Sequence, residues 1–281
     1  MTSINTNSGA LTALQMLGGT VEQREVVQED IATGKEVDTA KDNAALWAIS
    51  QVMEVDVAGF AAVSGSLTLG EATASVAAVG AERMTDVLLE MKQLTIIAGS
   101  GAVDYGKIEA QMAQKTEQLN SIISSTQFNG VNLLKTDIDG AGNSSLTIAS
   151  SMDRTGSSAA NLATISVDSL NFEGSTSFDI NNRTAITDPA SAQMALSEIE
   201  GFLNFAIEGA ASLGASASKI SSQNDFIGKL SDSMELGISA ITDTNIEQAS
   251  VRLATLNAQQ QLGGLSLSIA NASPLSLLAL T

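Results

Sequence analysis

The sequence predicts a mainly α-helical protein: an elongated antiparallel helical bundle or coiled coil, with paired N- and C-terminal helices and a small β-containing insert. Three observations carry this. Apolar residues step by alternating threes and fours over long stretches, which is a heptad seam. The apolar content of 44 % comes from small aliphatic side chains, with aromatics at 3 % and only two prolines in 281 residues, and helix interiors exclude proline. All 44 charged residues, 13 basic and 31 acidic, lie between Glu22 and Arg252, so neither Met1–Val21 nor Leu253–Thr281 carries an ionisable side chain. Chain ends are usually frayed and solvated. Stripping both of charge predicts that they are buried together, against each other or against further copies.

In chain order, residues 8–33 read as a first helix, weakened at Gly18-Gly19 because each glycine costs about 1 kcal/mol in a helix interior. Gly34 is placed to cap it. Its seam runs Leu14, Leu17, Val21, Arg24, Gln28 and Ile31, turning polar in the middle. A charged connector, 35–43, leads to a very long helix from Ala44. Its seam is Val63, Leu67, Gly70, Ala74, Ala77, Ala81, Met84, Leu88, Met91, Thr95 and Ala98, ended by Gly99-Ser100-Gly101. A third helix, Tyr105 to Thr126, shows Ile108, Met112, Lys115, Leu119 and Ile122. Asn129-Gly130 after it is a turn dipeptide.

Residues 137–188 are rich in Gly, Ser, Thr, Asn and Asp, with alternating runs at Leu146-Thr147-Ile148 and Ile165-Ser166-Val167; they read as a small β-containing insert. Asp188-Pro189, an N-cap followed by proline at the first helical position, opens a helix to about Ala240 that would span roughly 70–75 Å. Its seam is Ala192, Leu196, Ile199, Leu203, Ala206, Ala210, Leu213, Ala217, Ile220, Asn224 and Ile227. A connector at 242–245 leads to the terminal helix, with seam residues Ile246, Ala249, Leu253, Leu256, Gln260, Gly263, Leu267 and Ala270. Five segments follow: 1–34 and 242–281 as two halves of an inner coiled coil, 35–136 and 189–241 as the outgoing and returning parts of a helical rod, and 137–188 as a surface insert. Neither terminal segment shows a second apolar face wide enough to fold alone.

Composition excludes several functions. With no cysteine and no histidine, disulfides, thiolate metal sites and imidazole catalysis are absent, and no nucleophile–base pair remains, so an enzyme is not expected. A net charge of −18 disfavours nucleic acid and anionic membrane as partners. Asp137, Asp139, Gly140 and Asn143 loosely resemble a calcium loop, but Ile148 stands where the bidentate glutamate is needed; the expectation is a solvated turn, with no metal and no cofactor. Glu198 and Glu200 read as a solvated face, and Met84, Met91 and Met112 as seam fillers. No basic, apolar leader opens the chain, and no run of about 18 apolar residues predicts a membrane span.

Several motifs occur together and in order: Ser3-Ile4-Asn5-Thr6-Asn7, Leu11, Ala32-Thr33-Gly34, the run Ala40-Lys41-Asp42-Asn43-Ala44-Ala45-Leu46-Trp47-Ala48-Ile49-Ser50, then Thr126 to Leu134, and finally Ser268-Ile269-Ala270-Asn271, Pro274 and Leu277-Leu278. In these the chain resembles a bacterial flagellin of alphaproteobacterial type, divergent and with a short variable region. It departs from the family pattern where Glu29, Asp30 and Glu36 make the Gly34 turn acidic, where Ala240-Ile241-Thr242-Asp243 replaces the usual basic connector, and at its Leu280-Thr281 end. The resemblance implies a structural subunit that polymerises through its terminal helices into the flagellar filament for swimming. It also implies secretion through the flagellar export apparatus, a C-terminal export chaperone, and filament cap and junction proteins as partners, with no membrane insertion. The expected polymerisation interface comprises Leu11, Leu14, Leu17, Val21, Ile31, Trp47, Ile246, Leu253, Leu256, Leu267, Ile269, Leu277 and Leu278. A hook–filament junction protein shares this terminal layout, and an exported surface antigen or adhesin is the reading from another class.

Overall fold

The computed structural model describes residues 6–154, 161–175 and 177–278, with side chains through Ala272. The motif residues Ser3 to Asn5 and the Leu280-Thr281 end lie outside what is described, as does the side chain of Pro274. Five helices, α1 (Ser8–Thr33), α2 (Ala44–Gly99), α3 (Tyr105–Ser125), α4 (Pro189–Thr242) and α5 (Ile246–Leu278), accompany a two-stranded antiparallel sheet of β1 (Ser145–Asp153) and β2 (Asn161–Asp168). They divide into two compact units, one of Met1–Val55 with Ser233–Thr281 and one of Asp56–Asp232. The division falls inside α2 and α4, not at the connectors near 34 and 242.

Local chemistry sets the ends. Asn7 caps α1, its Oδ1 accepting from Ala10 N at 3.0 Å, and Gly34 closes the helix in the left-handed conformation at φ 75°. The helix runs unbroken through Gly18-Gly19, where it was expected to be weakened: pairing with α5 outweighs two glycine penalties of about 1 kcal/mol each. Asp104 caps α3, and Asp188 caps α4 by accepting from Ser191 N at 2.8 Å, with Pro189 following. Asn129 and Gly130, both at positive φ, form the turn that pairs Phe128 with Val131.

The Asp56–Asp232 unit is built on the seam of α2. All eleven residues read from the heptad, Val63 through Ala98, are buried. α3 runs back along it antiparallel, with Lys115 paired to Glu90, and α4 does likewise, with Lys92 paired to Glu200 at 2.9 Å and Ser64 donating to Asn224 at 2.7 Å. On α3 the buried position is Ile123, not Ile122, and on α4 it is Ala195, not Leu196. A true helical period of 3.6 drifts from a 3.5 template within a few turns. Met84, Met91 and Met112 fill the seam and are fully buried. Among the described residues, α2 is long and apolar enough by mean composition to pass for a membrane span, although it has no run of about 18 consecutive apolar residues. The face of it that carries Val63 to Ala98 is buried within the Asp56–Asp232 unit, so it serves as a core helix.

The insert is not a free surface elaboration. The hairpin pairs Leu146 with Val167 and Ile148 with Ile165, with a bulge between Ala149 and Ser151, and one face of it is core: Ile148, Ile165 and Val167 are buried. Glycines in α2 and α4 let it approach. A Cβ on Gly59 would meet Met152 Cε at 2.5 Å, one on Gly70 would overlap the Ile148 side chain, one on Gly80 would meet Thr126 at 2.5 Å, and one on Gly209 would meet Leu170 at 2.6 Å. Phe172 and Phe178 then pack edge-on at 4.8 Å, and Phe172 meets Phe205 of α4 at 5.1 Å. The Thr126–Leu134 signature has a packing reason: Asn132 Nδ2 donates to Ile123 O at 2.6 Å, which seats Leu133 and Leu134 in the core. Asp137 and Asp139 accept from the backbone of their own turn, and Asp139 also from Asn143 Nδ2 at 2.7 Å.

The return to α4 is tied by charge. Arg183, almost fully buried, donates from Nη2 to Glu109 Oε1 at 2.5 Å, and Ile186 N donates to Glu109 Oε2 at 3.0 Å. Glu198 accepts from Thr184 N and Oγ1 at 2.7 and 2.6 Å. Glu198 and Glu200 are therefore not an idle solvated pair; one holds the insert and the other holds α2. Burial works against the Glu109 carboxylate, but hydrogen bonds from Arg183 and Ile186 N, with the Arg183 charge, outweigh it and hold its pKa below the ordinary 4.5.

Two predictions follow from this packing. Gly70→Ala should destabilise the protein by about 1–3 kcal/mol, whereas Gly65→Ala on the same helix, whose Cβ meets open space, should stabilise it by about 0.4–1 kcal/mol; thermal unfolding of the two compares them directly. A depressed carboxylate pKa contributes stability that is present above the unfolded value and is lost as pH falls through the folded one. Glu109→Gln should therefore cost about 2 kcal/mol at pH 7, and the difference from the parent chain should shrink as urea titrations are repeated below pH 4.5.

Candidate functional site

The unit formed by Met1–Val55 and Ser233–Thr281 is built on the pairing of α1 with α5. The two run antiparallel: Asn7 Nδ2 donates to Ala270 O at 2.8 Å, and Arg24 Nη1 donates to Gln260 Oε1 at 2.6 Å. Val27, Ala249 and Leu256 form the core of the pair, with Ile31 and Leu253 packed against it. Val27 takes the place expected for Gln28, again through drift of the period. Farther along, Leu17 meets Gly263, and a Cβ on Gly9 would meet Ala270 at 3.9 Å.

The connectors are stitched to each other beneath this pair. Thr244 N donates to Gly34 O at 2.9 Å, Glu36 N donates to Thr242 O at 2.7 Å, and Lys35 bridges to Asp243. Within the run around Trp47, Asp42 accepts from Thr39 N at 2.8 Å and from Thr39 Oγ1 at 3.0 Å, and Asn43 Oδ1 caps α2 by accepting from Ala45 N and Leu46 N. Those bonds, the Thr39 backbone N–H above all, hold the Asp42 carboxyl below its ordinary pKa. Trp47 is half-buried one turn into α2.

The feature that heptad reading missed is the outward face. α5 carries a second apolar stripe, Val251, Thr255, Ala258, Leu262, Leu265 and Ile269, spaced by threes and fours and exposed along its length. Ile269 is 73 % exposed and Leu262 and Leu265 are 62 % exposed. On α1, Leu11, Leu14, Met16 and Val26 are exposed likewise, Met16 at 70 %. The first seam hid the second because both use the same spacing, offset by about two residues.

The expected interface residues therefore divide. Leu11, Leu14, Ile246 and Ile269 face outward; Leu17, Val21, Ile31, Leu253 and Leu267 are half-buried in the α1–α5 seam, and Leu256, at 4 %, lies wholly inside it. Leu277 and Leu278 lie outside the residues with described side chains. From Leu253 to the end of the described side chains, α5 has no charge on either face, so the stripe offers neither attraction nor repulsion to ions. It can gain only by removing hydrocarbon from water. No cluster of residues suited to hold a metal occurs among the described residues.

The acidic Gly34 turn has a measurable consequence. Partial burial raises the Asp30 pKa above its ordinary 3.8, with repulsion from Glu36, Asp42 and Glu29 adding to it and Arg252 opposing it.

Residues 4–138 match the family described as bacterial flagellin N-terminal helical region, and residues 196–281 match its C-terminal helical region. Among known proteins, the chain is 34 % identical over 285 residues to a flagellin of Brucella melitensis, covering 100 % of this chain and 99 % of that one. It is 32 % identical over 283 residues to flagellin FljK of Caulobacter vibrioides, at 100 % and 98 % coverage. To flagellin C of Rhizobium meliloti it is 30 % identical over 325 residues, at 100 % and 99 %.

A carboxylate whose folded pKa is raised favours the folded state at low pH and loses that advantage as pH rises through the folded value. Asp30→Asn should therefore stabilise the α1–α5 pair at pH 7 and flatten its gain on acidification towards pH 4, read as the thermal midpoint of the terminal unit across pH.

Proposed function

The chain belongs to the bacterial flagellin family, and from this premise we infer how it performs as the structural subunit of a flagellar filament. The observation that carries the reading is the uncharged outward stripe of α5, with the exposed leucines and methionine of α1 beside it. Subunits with a net charge of −18 repel one another wherever their charged surfaces face within about 8 Å, the screening length at physiological salt. Only the charge-free parts of the terminal helices, up to Val21 and from Leu253 on, can approach without that penalty. Each leucine or isoleucine covered there contributes roughly 1.5–3 kcal/mol, so a few per contact suffice for association.

The α1–α5 seam, closed within one chain, acts as the rigid element that presents the stripe. In this reading Leu11, Leu14, Ile246 and Ile269 touch neighbouring copies directly, Leu277 and Leu278 extend the contact, and Leu17, Val21, Ile31, Leu253, Leu256 and Leu267 act by holding the two helices together. Trp47 belongs to the same surface at the start of α2. The subunit is secreted through the flagellar export apparatus, guarded by a chaperone on α5 until then, and is added between junction proteins and a filament cap. The chain takes no part in catalysis, and neither nucleic acid nor a lipid bilayer is a partner.

Ile269→Glu combined with Leu265→Glu places carboxylates at the C-terminal end of the described stripe, in its charge-free part. The purified subunit should keep its helical content, since both residues point away from the seam, yet form no filaments by electron microscopy, because burying unpaired carboxylates outweighs the remaining apolar gain. Normal filaments from that variant would refute the assignment of the stripe as the contact between copies.

A further inference from the structure

The α1–α5 seam is apolar on both flanks and polar at one level. On one side lie Val27, Ile31, Ala249, Leu253 and Leu256; on the other, Leu17 meets Gly263 and Gly9 meets Ala270. Between them Arg24 Nη1 donates to Gln260 Oε1 at 2.6 Å, while Arg24 Nε is buried with no partner. A buried donor left unmade costs stability, and a leucine at this level would pack without that loss.

We propose that the Arg24–Gln260 layer is a register key, a pair of specificity-determining residues that admits one alignment of α1 with α5 and rejects the others. On the flank where Leu17 meets Gly263 neither helix holds a charge, so no ionic contact there distinguishes one alignment from the next; on the other flank the Arg252 charge acts on Asp30, but both lie at the solvated edge of the pair. Hydrophobic contact alone tolerates a slip of one heptad, because the seam repeats. Leu253 and Leu267 stand seven residues either side of Gln260, at the same seam position. Sliding α5 by one heptad brings one of them level with Arg24, removes the Gln260 acceptor and lays the guanidinium on hydrocarbon. A single polar residue in an apolar seam is known to fix register at a cost in stability, and the orphaned Nε is that cost in this chain. The same rule excludes a second copy's helix from the seam unless it brings a glutamine to this level. The consequence for filaments rests on the function proposed above; the register itself does not.

The chain has no cysteine, so introduced pairs can report the alignment. A Cβ on Gly263 would lie 3.8 Å from Leu17 Cβ, which is within the usual disulfide spacing. Leu17→Cys with Gly263→Cys therefore reads the native register, and Leu17→Cys with Ala270→Cys reads a slip of one heptad. In the otherwise unaltered full chain, oxidised under identical conditions, the first pair should close about tenfold further than the second. Adding Arg24→Leu with Gln260→Leu should bring the two within about twofold, with no fall in the urea midpoint and with irregular polymer in place of uniform filaments. The exchange Arg24→Gln with Gln260→Arg should restore the tenfold preference. A slipped pair that stays silent in the Leu/Leu chain, or an exchange that fails to restore the preference, overturns the proposal. An unaltered chain that keeps one register but never polymerises would sink the filament reading and leave the key standing.

Discussion

The separation of charge along the chain is the constraint on which the rest depends. Thirty-one carboxylates and thirteen basic groups are confined between Glu22 and Arg252, leaving the outer parts of both terminal helices, up to Val21 and from Leu253 on, without charge. Inside one subunit this permits α1 and α5 to close a seam from which ions are nearly absent; the exception is Arg24, which finds a glutamine and not a carboxylate. Between subunits it restricts close approach to the same helices. The two requirements do not compete, because α5 has two apolar faces. One holds Ala249, Leu253, Leu256 and Gly263 against α1, and the other shows Leu262, Leu265 and Ile269 to the outside. A helix with hydrocarbon on both faces and no charge beyond Arg252 is poorly suited to life alone in water. It is stable as the middle layer of an assembly.

Much of the fold was legible because helical period, caps and turn dipeptides are local signals. The seam of α2 was read in full, as were Gly34, Asp188-Pro189 and the Asn129-Gly130 turn, and both strands grew from the two alternating runs. The misses were of two physical kinds. At Val27, Ile123 and Ala195 the 3.6-residue helix drifted off a 3.5-residue template, so the neighbour of the expected residue was buried. The insert was misjudged because nothing local marks it as covered. Its burial depends on Gly59, Gly70 and Gly209, which lie away from it in the sequence and read only as weak points in helices. The candidate site was legible as a neutral pair of ends, but its outward stripe was hidden by a seam of the same spacing.

The charged groups show the same dependence on distant partners. Glu198 read as part of a solvated face, yet with Glu109 and Arg183 it ties α3, the return segment and α4 together through five hydrogen bonds to side chains and backbone. In contrast, Glu29, Asp30, Glu36 and Asp42 gather at the Gly34 turn with Arg252 as the opposing charge named for Asp30. Glu109 and Asp30 therefore answer acid in opposite directions: one loses a favourable pairing, and the other is relieved of an unfavourable charge.

Glycine has two meanings in these helices, and only the structure separates them. Gly59, Gly70 and Gly80 fall at intervals of ten or eleven residues, three helical turns, and so return to nearly the same side of α2. Each is occupied by a side chain from the segment between Thr126 and Met152. That occupation makes the inward face of the hairpin as constrained as any helix seam, since Ile148 and Met152 have shapes cut to the notches below them. The outward positions Thr147, Leu162, Thr164 and Ser166 meet no such limit. Variation in the insert must therefore follow the strand's period of two, changing alternate residues freely while the others stay tied to glycines some seventy to ninety residues upstream.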